Sequence, residues 1–352
     1  MDISKKNILL YGANGYTGAL IARYAYEQGI PLLLAGRNEK AILPIAAKYQ
    51  MPYRFFSLTD TSRIIEELQT VKLVIHAAGP FSQTAKSMVE ACIQSGTHYI
   101  DINGDLSVFE QIHAYDETAK KAGVMLLPGA GFDVVPTDCL ASHLKKQLPD
   151  ATSLKLGFIS KKGKISHGTA TTIVEKLGEG GAVRKNGKII RRKLGHNCRH
   201  VAFENKTYFL MSIPWGDVAT AFFTTGIPNI ETYTGIPKSF YRILKLQFLF
   251  NWILRRNNVR RWIQKKIDKQ PAGATDAERA HSNVLVWGEA TNKKGEMAEA
   301  RLRCKDGYTF TALSCLKIAE KIMNDDFKTG YQTPALAYGE ELVWDIEGSV
   351  KL

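Results

Sequence analysis

The chain has 352 residues, 45% hydrophobic and 23% charged, which is enough for two domains with buried cores. No run of about 18 uninterrupted apolar residues occurs, which argues against a membrane-spanning helix, and Met1–Lys6 holds no apolar leader core, so the expected location is cytoplasmic. The net charge of +13 is lopsided: residues 1–150 carry 14 Lys/Arg against 15 Asp/Glu, the remainder 33 against 19, so the second part is expected to meet something anionic.

In chain order, β-rich runs are predicted over 7–11 (NILLY), 31–36 (PLLLAG), 53–57 (YRFFS), 72–77 (KLVIHA), 98–102 (HYIDI) and 124–127 (VMLL). Segments with helical spacing lie between them, around 19–26, 64–68, 88–93 and 109–119. Near-continuous apolar strands alternating with helices predict a parallel sheet covered on both faces. The fold class is therefore α/β: a Rossmann-type doubly wound sheet over 1–150, followed by a second domain.

The first strand runs into "YGANGYTG", with Gly12, Gly15 and Gly18 at spacing three. Gly12 suits a sharp turn, Gly15 leaves room for a pyrophosphate, and Gly18 allows close packing of the following helix. Asn14, Tyr16 and Thr17 share this phosphate loop, and the amides at the helix start face the anion. The second strand ends in "LAGRN". An NAD site usually places an acid there to bind the ribose hydroxyls; this chain has Arg37, whose guanidinium suits the 2′-phosphate of NADP(H). Asp60, after the third strand, could meet the adenine amino group or cap the next helix. The fourth strand ends in Ala78-Gly79-Pro80, small residues where a nicotinamide ribose would lie, with Pro80 stopping the strand.

Candidates for chemistry cluster beyond the fifth and sixth strands, where ligands bind in open sheets. They are Asp101, Asn103 and Asp105 in "IDINGD", and Asp133 and Asp138 in "GFDVVPTD". Turn formation and helix capping are the structural alternatives for each, and Asp138 could cap a helix over 139–147. Asp105 and Asp133 are taken as helper candidates. His167, in "SHGTATT", reads as an exposed loop residue or an acid facing the cofactor. Tyr241 and Lys245 match a Tyr-x-x-x-Lys pair, but far from the helix where such a pair acts, so the match is read as chance. The five cysteines are scattered and odd in number, which predicts buried reduced thiols and no metal site.

Beyond 150, "SLKLGFI" reads as a strand and "VLVWGEATNKKGEMAEARLRC" as two strands around a Lys-Lys-Gly turn. "TFTALSCLKIAEKIM" reads as a helix. These predict an α+β domain with a mixed or antiparallel sheet over 151–330. Residues 238–269 hold ten Lys/Arg and one acid, Asp268, around an apolar run. This insertion reads as core-packing helices with solvated ends. Two other readings stay open: an interfacial, membrane-peripheral helix, or a lid meeting the phosphate of an acyl carrier. No nucleic-acid module accompanies it.

The stretches "YGANGYTG", "LAGRN", "AAGPF", "ACIQSGTHYIDINGD", "GAGFDVVPTDCL", "TTGIPNIETY", "VWGEA", "DGYTFTA" and "GYQTPALAYGEELV" resemble, in order, the saccharopine dehydrogenase-like oxidoreductases, most closely the trans-acting enoyl reductase branch. The resemblance implies an NADP-binding Rossmann domain, a second α+β domain with an open sheet, and a C-terminal segment, 331–352, that returns to the first. It implies reduction of an enoyl thioester in one branch and chemistry on an amino-acid imine in another. Asp105 stands where relatives often carry Glu, and Val134 where many have Ser. The expected activity is NADP(H)-dependent reduction of C=C or C=N in a cleft between domains, on a small-molecule or acyl-thioester substrate. Homodimerisation and a non-catalytic NADP-binding, lipid-associated adaptor are the remaining readings.

Overall fold

All six predicted strands form: β1 (Asn7–Tyr11), β2 (Leu32–Gly36), β3 (Tyr53–Phe55), β4 (Val71–His76), β5 (His98–Asp101) and β6 (Met125–Leu127). They pair in parallel in the order β6-β5-β4-β1-β2-β3, and a seventh short strand, Gly330–Tyr331, joins outside β6. Every residue of β2 and all but Asn7 of β1 are buried. Burial on both faces of the sheet is why these strands read as continuous apolar runs rather than alternating ones. The connecting helices are α1 (Tyr16–Glu27), α2 (Glu39–Tyr49), α3 (Thr61–Glu67), α4 (Phe81–Ser95), α5 (Leu106–His113) and α6 (Asp116–Lys121). The strand order reverses between β1 and β4, which brings the glycine loop after β1 beside the loop after β4.

The computed structural model describes residues 5–204 and 206–352. Met1–Ser4, part of the stretch read for a leader, lie outside the described residues. The chain divides by packing into one unit reaching to Val135 and including Tyr308–Glu347, and a second of Pro136–Gly307 with Gly348–Leu352. The expected boundary at 150 and return at 331 are thus both shifted. Helix α7 (Val135–Gln147) groups with the second unit, because Gly288 leaves room for it: a Cβ there would stand 2.7 Å from Leu144 Cδ1 and 3.1 Å from Leu140 Cδ2. Helix Gly307–Met323, read as part of the second domain, belongs to the first. Its Thr311 hydroxyl accepts from the Phe132 amide at 3.0 Å, and its Ser314 hydroxyl donates to Ala130 O at 2.6 Å.

The second unit holds β7 (Ser153–Lys161), β8 (Gly181–Lys185), β9 (Lys188–Arg192), β10 (Cys198–Phe203), β11 (Lys206–Ile213), β12 (Asn229–Gly235), β13 (Asn283–Thr291) and β14 (Met297–Lys305). Its sheet runs β10-β11-β12-β7-β13-β14, with Val350–Lys351 beyond β14 and the β8–β9 hairpin attached to β12. β12 and β7 are parallel and the other pairs antiparallel, the mixed sheet expected. Ile159, Leu210, Tyr233, Leu285 and Trp287 form a core on one face, closed by Val201 and Phe203 of β10. The Lys-Lys-Gly turn joins β13 to β14, with Gly295 at φ +85°.

Candidate nucleotide-binding and catalytic site

Gly12 takes φ +91°, a conformation side-chained residues rarely adopt, and its amide donates to Ala35 O at 2.8 Å. A Cβ at Gly12 would lie 2.8 Å from the Ala77 carbonyl carbon and Ala78 N, so the loop rests on the backbone that follows β4. A Cβ at Gly18 would overlap Gly12 O, because α1 sits directly on the turn. Gly15 differs: a Cβ there would meet only Gly12 O at 3.3 Å and Ala77 O at 3.9 Å. It is the N-cap of α1 with no side-chain cap bond, and no acid stands in the first turn. These features fit a diphosphate, whose charge the uncapped helix start would attract. Asn14 is exposed, with its Oδ1 against Gly36; Tyr16 and Thr17 open α1, half-buried, and the Tyr16 ring meets Tyr308 edge-on at 5.0 Å.

Arg37 follows β2 and is exposed, and among the described residues no ion pair engages it. Its charge reaches the Tyr11 phenol, which burial pushes up to about 12 and Arg37 partly draws back; that hydroxyl donates to Phe56 O at 2.9 Å. Glu39, the nearest following acid, stands in the first turn of α2. A guanidinium free at the end of β2 fits a phosphate on the adenosine ribose. Asp60 is the N-cap of α3, accepting from the Arg63 amide at 3.0 Å, so its carboxylate serves the helix. Ala78 and Gly79 lead to Pro80, the N-cap of α4. The Thr84 hydroxyl holds this loop, donating to Ala78 O at 2.8 Å and to Pro80 O at 3.1 Å.

Most acids read as candidates for chemistry are committed to the fold. Asp101, wholly buried at the end of β5, accepts through Oδ1 from the amides of Asn103 (3.0 Å) and Gly129 (2.8 Å) and from Asn103 Nδ2 (2.7 Å). Its Oδ2 accepts from the Tyr99 hydroxyl at 2.8 Å. Since that hydroxyl proton is spent, His76 Nδ1, 3.1 Å from the same oxygen, is the donor there. Burial holds His76 at about 3, so it is neutral. Asn103 Oδ1 in turn accepts the Asp105 amide at 2.9 Å. This buried chain ties the carboxyl ends of β4 and β5 together and was not foreseen in the sequence. The polar ends of "KLVIHA" and "HYIDI" were its available signal.

Asp105 is the N-cap of α5, its Oδ1 accepting from the Ser107 amide at 2.9 Å and hydroxyl at 2.7 Å. Asp138 lies inside α7, fully buried, and accepts from the Thr224 hydroxyl; it is in the first turn of a helix that starts at 135, not its cap. Asp133 is set apart by its electrostatics. It sits in the loop after β6 across from Gly104, where a Cβ would come within 2.5 Å of its Oδ2. Though part of its surface is exposed, burial of the carboxyl pushes it up to about 7. It therefore holds a proton up to neutral pH, the property a general acid needs.

In the second unit, His167 opens the helix His167–Glu175 and pairs with Asp268, Nε2 to Oδ1 at 2.9 Å, partly exposed. Lys245 lies over the Tyr241 ring at 5.4 Å, but burial, then a bond with Cys198, raises the phenol, opposite to what a Tyr–Lys proton donor requires. Cys198 is exposed, unlike the four other thiols, against the expectation that all are buried. The segment 238–269 departs most: its helices have no buried residues, so it is not a pair of core-packing helices.

Residues 8–127 match the model of the saccharopine dehydrogenase NADP binding domain. That stretch runs from β1 to β6 and includes the glycine loop. The chain is 27% identical over 204 residues to a mouse (Mus musculus) saccharopine dehydrogenase-like oxidoreductase, covering 51% of this chain and 48% of the relative. It is 28% identical over 187 residues to a Mycobacterium tuberculosis protein named a trans-acting enoyl reductase, covering 49% and 44%. The chain thus spans about half the length of the curated relatives it matches. Apo saccharopine dehydrogenase (L-Glu forming) of Saccharomyces cerevisiae has the same fold, with a TM-score of 0.67 at 12% identity over 99% of both chains. Each unit therefore follows a known fold, and the first contains the stretch that matches a nicotinamide-nucleotide-binding domain.

Proposed function

We propose that the chain is an NADP(H)-dependent oxidoreductase that reduces a C=C bond of an enoyl thioester or a C=N bond. The observation that carries this reading is Arg37, exposed and without an ion-pair partner among the described residues at the end of β2, beside a glycine loop built for a diphosphate. Gly12, Gly15 and Gly18 shape the loop that receives the diphosphate; Arg37 takes the 2′-phosphate; Ala78, Gly79 and Pro80 leave room for the nicotinamide half. When bound, NADPH supplies the hydride. Asp133 is the residue assigned to hold and deliver the accompanying proton, since its carboxyl remains protonated to about pH 7. Asp60 and Asp105 are assigned to helix capping instead. The name of the mycobacterial relative supports reduction of an enoyl group, and that of the mouse relative supports oxidoreductase chemistry.

The test is loss of reduced-nicotinamide absorbance when the full chain and NADPH meet enoyl-CoA thioesters of increasing length or cyclic imines. Oxidation of NADPH with one class, and much less of NADH, is expected. Binding of NADPH without oxidation on either class would overturn the enzymatic reading and leave a non-catalytic NADP-binding protein.

A further inference from the structure

Residues 238–267 form three helices, α10 (Lys238–Leu244), α11 (Asn251–Leu254) and α12 (Asn257–Ile267), with a 3-10 turn at Gln247–Leu249; only Gln247 is buried among them. The segment has a fastened side. The Tyr241 ring packs on Phe209 at 5.1 Å, Gln247 Nε2 donates to Leu194 O at 2.9 Å, Arg255 Nε donates to Gly178 O at 2.7 Å, and Gln264 Nε2 reaches Thr171 Oγ1 at 2.9 Å. The opposite side carries Ile243, Leu246, Phe248, Leu249, Trp252 and Trp262, each between 51 and 64% exposed. Large apolar side chains gathered this way mark a surface that meets something other than water.

Charge identifies the partner. Residues 238–269 carry ten Lys/Arg against Asp268, whose carboxylate faces His167 and Gln264 on the fastened side. Cations stand beside the exposed indoles, Arg256 over Trp252 at 4.8 Å and Lys266 over Trp262 at 3.8 Å. Along α12, Asn258, Arg261, Trp262 and Lys265 line a shallow open groove. Two copies of this face would bring like charges together, which disfavours self-pairing. Nucleic acid would satisfy the cations but leave the aliphatic side chains in water. An anionic lipid surface satisfies both, with acyl chains for the apolar row and phosphates for the cations. Among the described residues no helix is long and apolar enough to cross a membrane, so the segment would lie in the interface.

We propose that residues 238–266 dock the chain on an anionic lipid surface. Ile243, Leu246, Phe248, Leu249 and Trp252 enter the acyl layer, and Arg261 and Lys265 meet headgroup phosphates beside Trp262. The test is co-flotation of the full chain with phosphatidylcholine vesicles with and without phosphatidylserine. Salt-sensitive binding is expected on the phosphatidylserine vesicles and little on phosphatidylcholine alone. Arg261→Gln with Lys265→Gln should weaken partitioning about 30-fold, and Phe248→Ser with Leu249→Ser at least about 10-fold. Both variants should melt at the wild-type temperature, since all four side chains are exposed. Wild-type protein that ignores phosphatidylserine vesicles overturns the proposal, as do variants that bind as tightly as wild type. Self-association or single-stranded RNA binding in place of vesicle binding overturns it too.

Discussion

Two apolar stretches of this chain, each with arginine close by, end in opposite situations. Leu32–Gly36 is buried at every position and only the following Arg37 reaches the surface. Ile243–Ile253 is also rich in large apolar residues, broken by Lys245, Gln247 and Asn251, yet most of its large side chains lie exposed, with Arg255 and Arg256 just beyond. The first run belongs to an alternating strand–helix series that supplies cover on both faces, so burial is inherited from the series. The second has helical spacing on one side, Tyr241, Leu244, Gln247 and Leu254, and that side alone is fastened. Apolar content therefore fixes neither burial nor partner; the periodic context does.

This contrast can be broken most forcefully at the glycine loop. Gly18→Ala places a methyl on the Gly12 carbonyl and must displace α1. Dinucleotide affinity should fall at least about 100-fold and stability by about 2 kcal/mol, measured by calorimetry and thermal unfolding. Next is Arg37→Ala, which leaves the loop intact: NADP(H) affinity should drop roughly 30-fold, about 2 kcal/mol, while NAD(H) stays within about 3-fold. Equal losses for both would remove the 2′-phosphate assignment.

Asp133→Asn sharpens the comparison through pH. The folded carboxyl titrates near 7 against 3.8 for the free group, so its own contribution to wild-type stability declines as pH rises from about 4 to 7 and is flat above. The variant should lack this decline. It should exceed wild type by on the order of 2 kcal/mol at pH 8 in denaturant unfolding, while turnover in the proposed reduction falls. A variant no more stable than wild type at pH 8 would show that the carboxyl is not raised by burial. The smallest effects belong to Asp60→Ala and Asp105→Ala, each costing about 1 kcal/mol as a lost N-cap with cofactor affinity unchanged.

The fold of the nucleotide half was legible because parallel-sheet periodicity and the three glycines act locally, the glycines within one strand–loop–helix unit. Asp60 and Asp105 were ambiguous, since a carboxylate after a strand reads the same whether it caps a helix or meets a ligand; only the amides of Arg63 and Ser107 decide. The His76–Tyr99–Asp101 chain was hidden because it joins residues of neighbouring strands through register. The unit boundary was misplaced because Leu140, Leu144 and Thr311 carry no local sign of which sheet they pack on. The segment 238–269 was misjudged because its apolar density reads as core unless one knows what lies on its outer side.

The most direct measurement is titration calorimetry of the full chain with adenosine 2′,5′-bisphosphate and with ADP, which differ in where the second phosphate sits. Heat with the 2′-phosphorylated ligand at an affinity at least about 10-fold above that for ADP is the result predicted by a guanidinium at the ribose edge. Tighter binding of ADP, or no heat with either ligand, would contradict it.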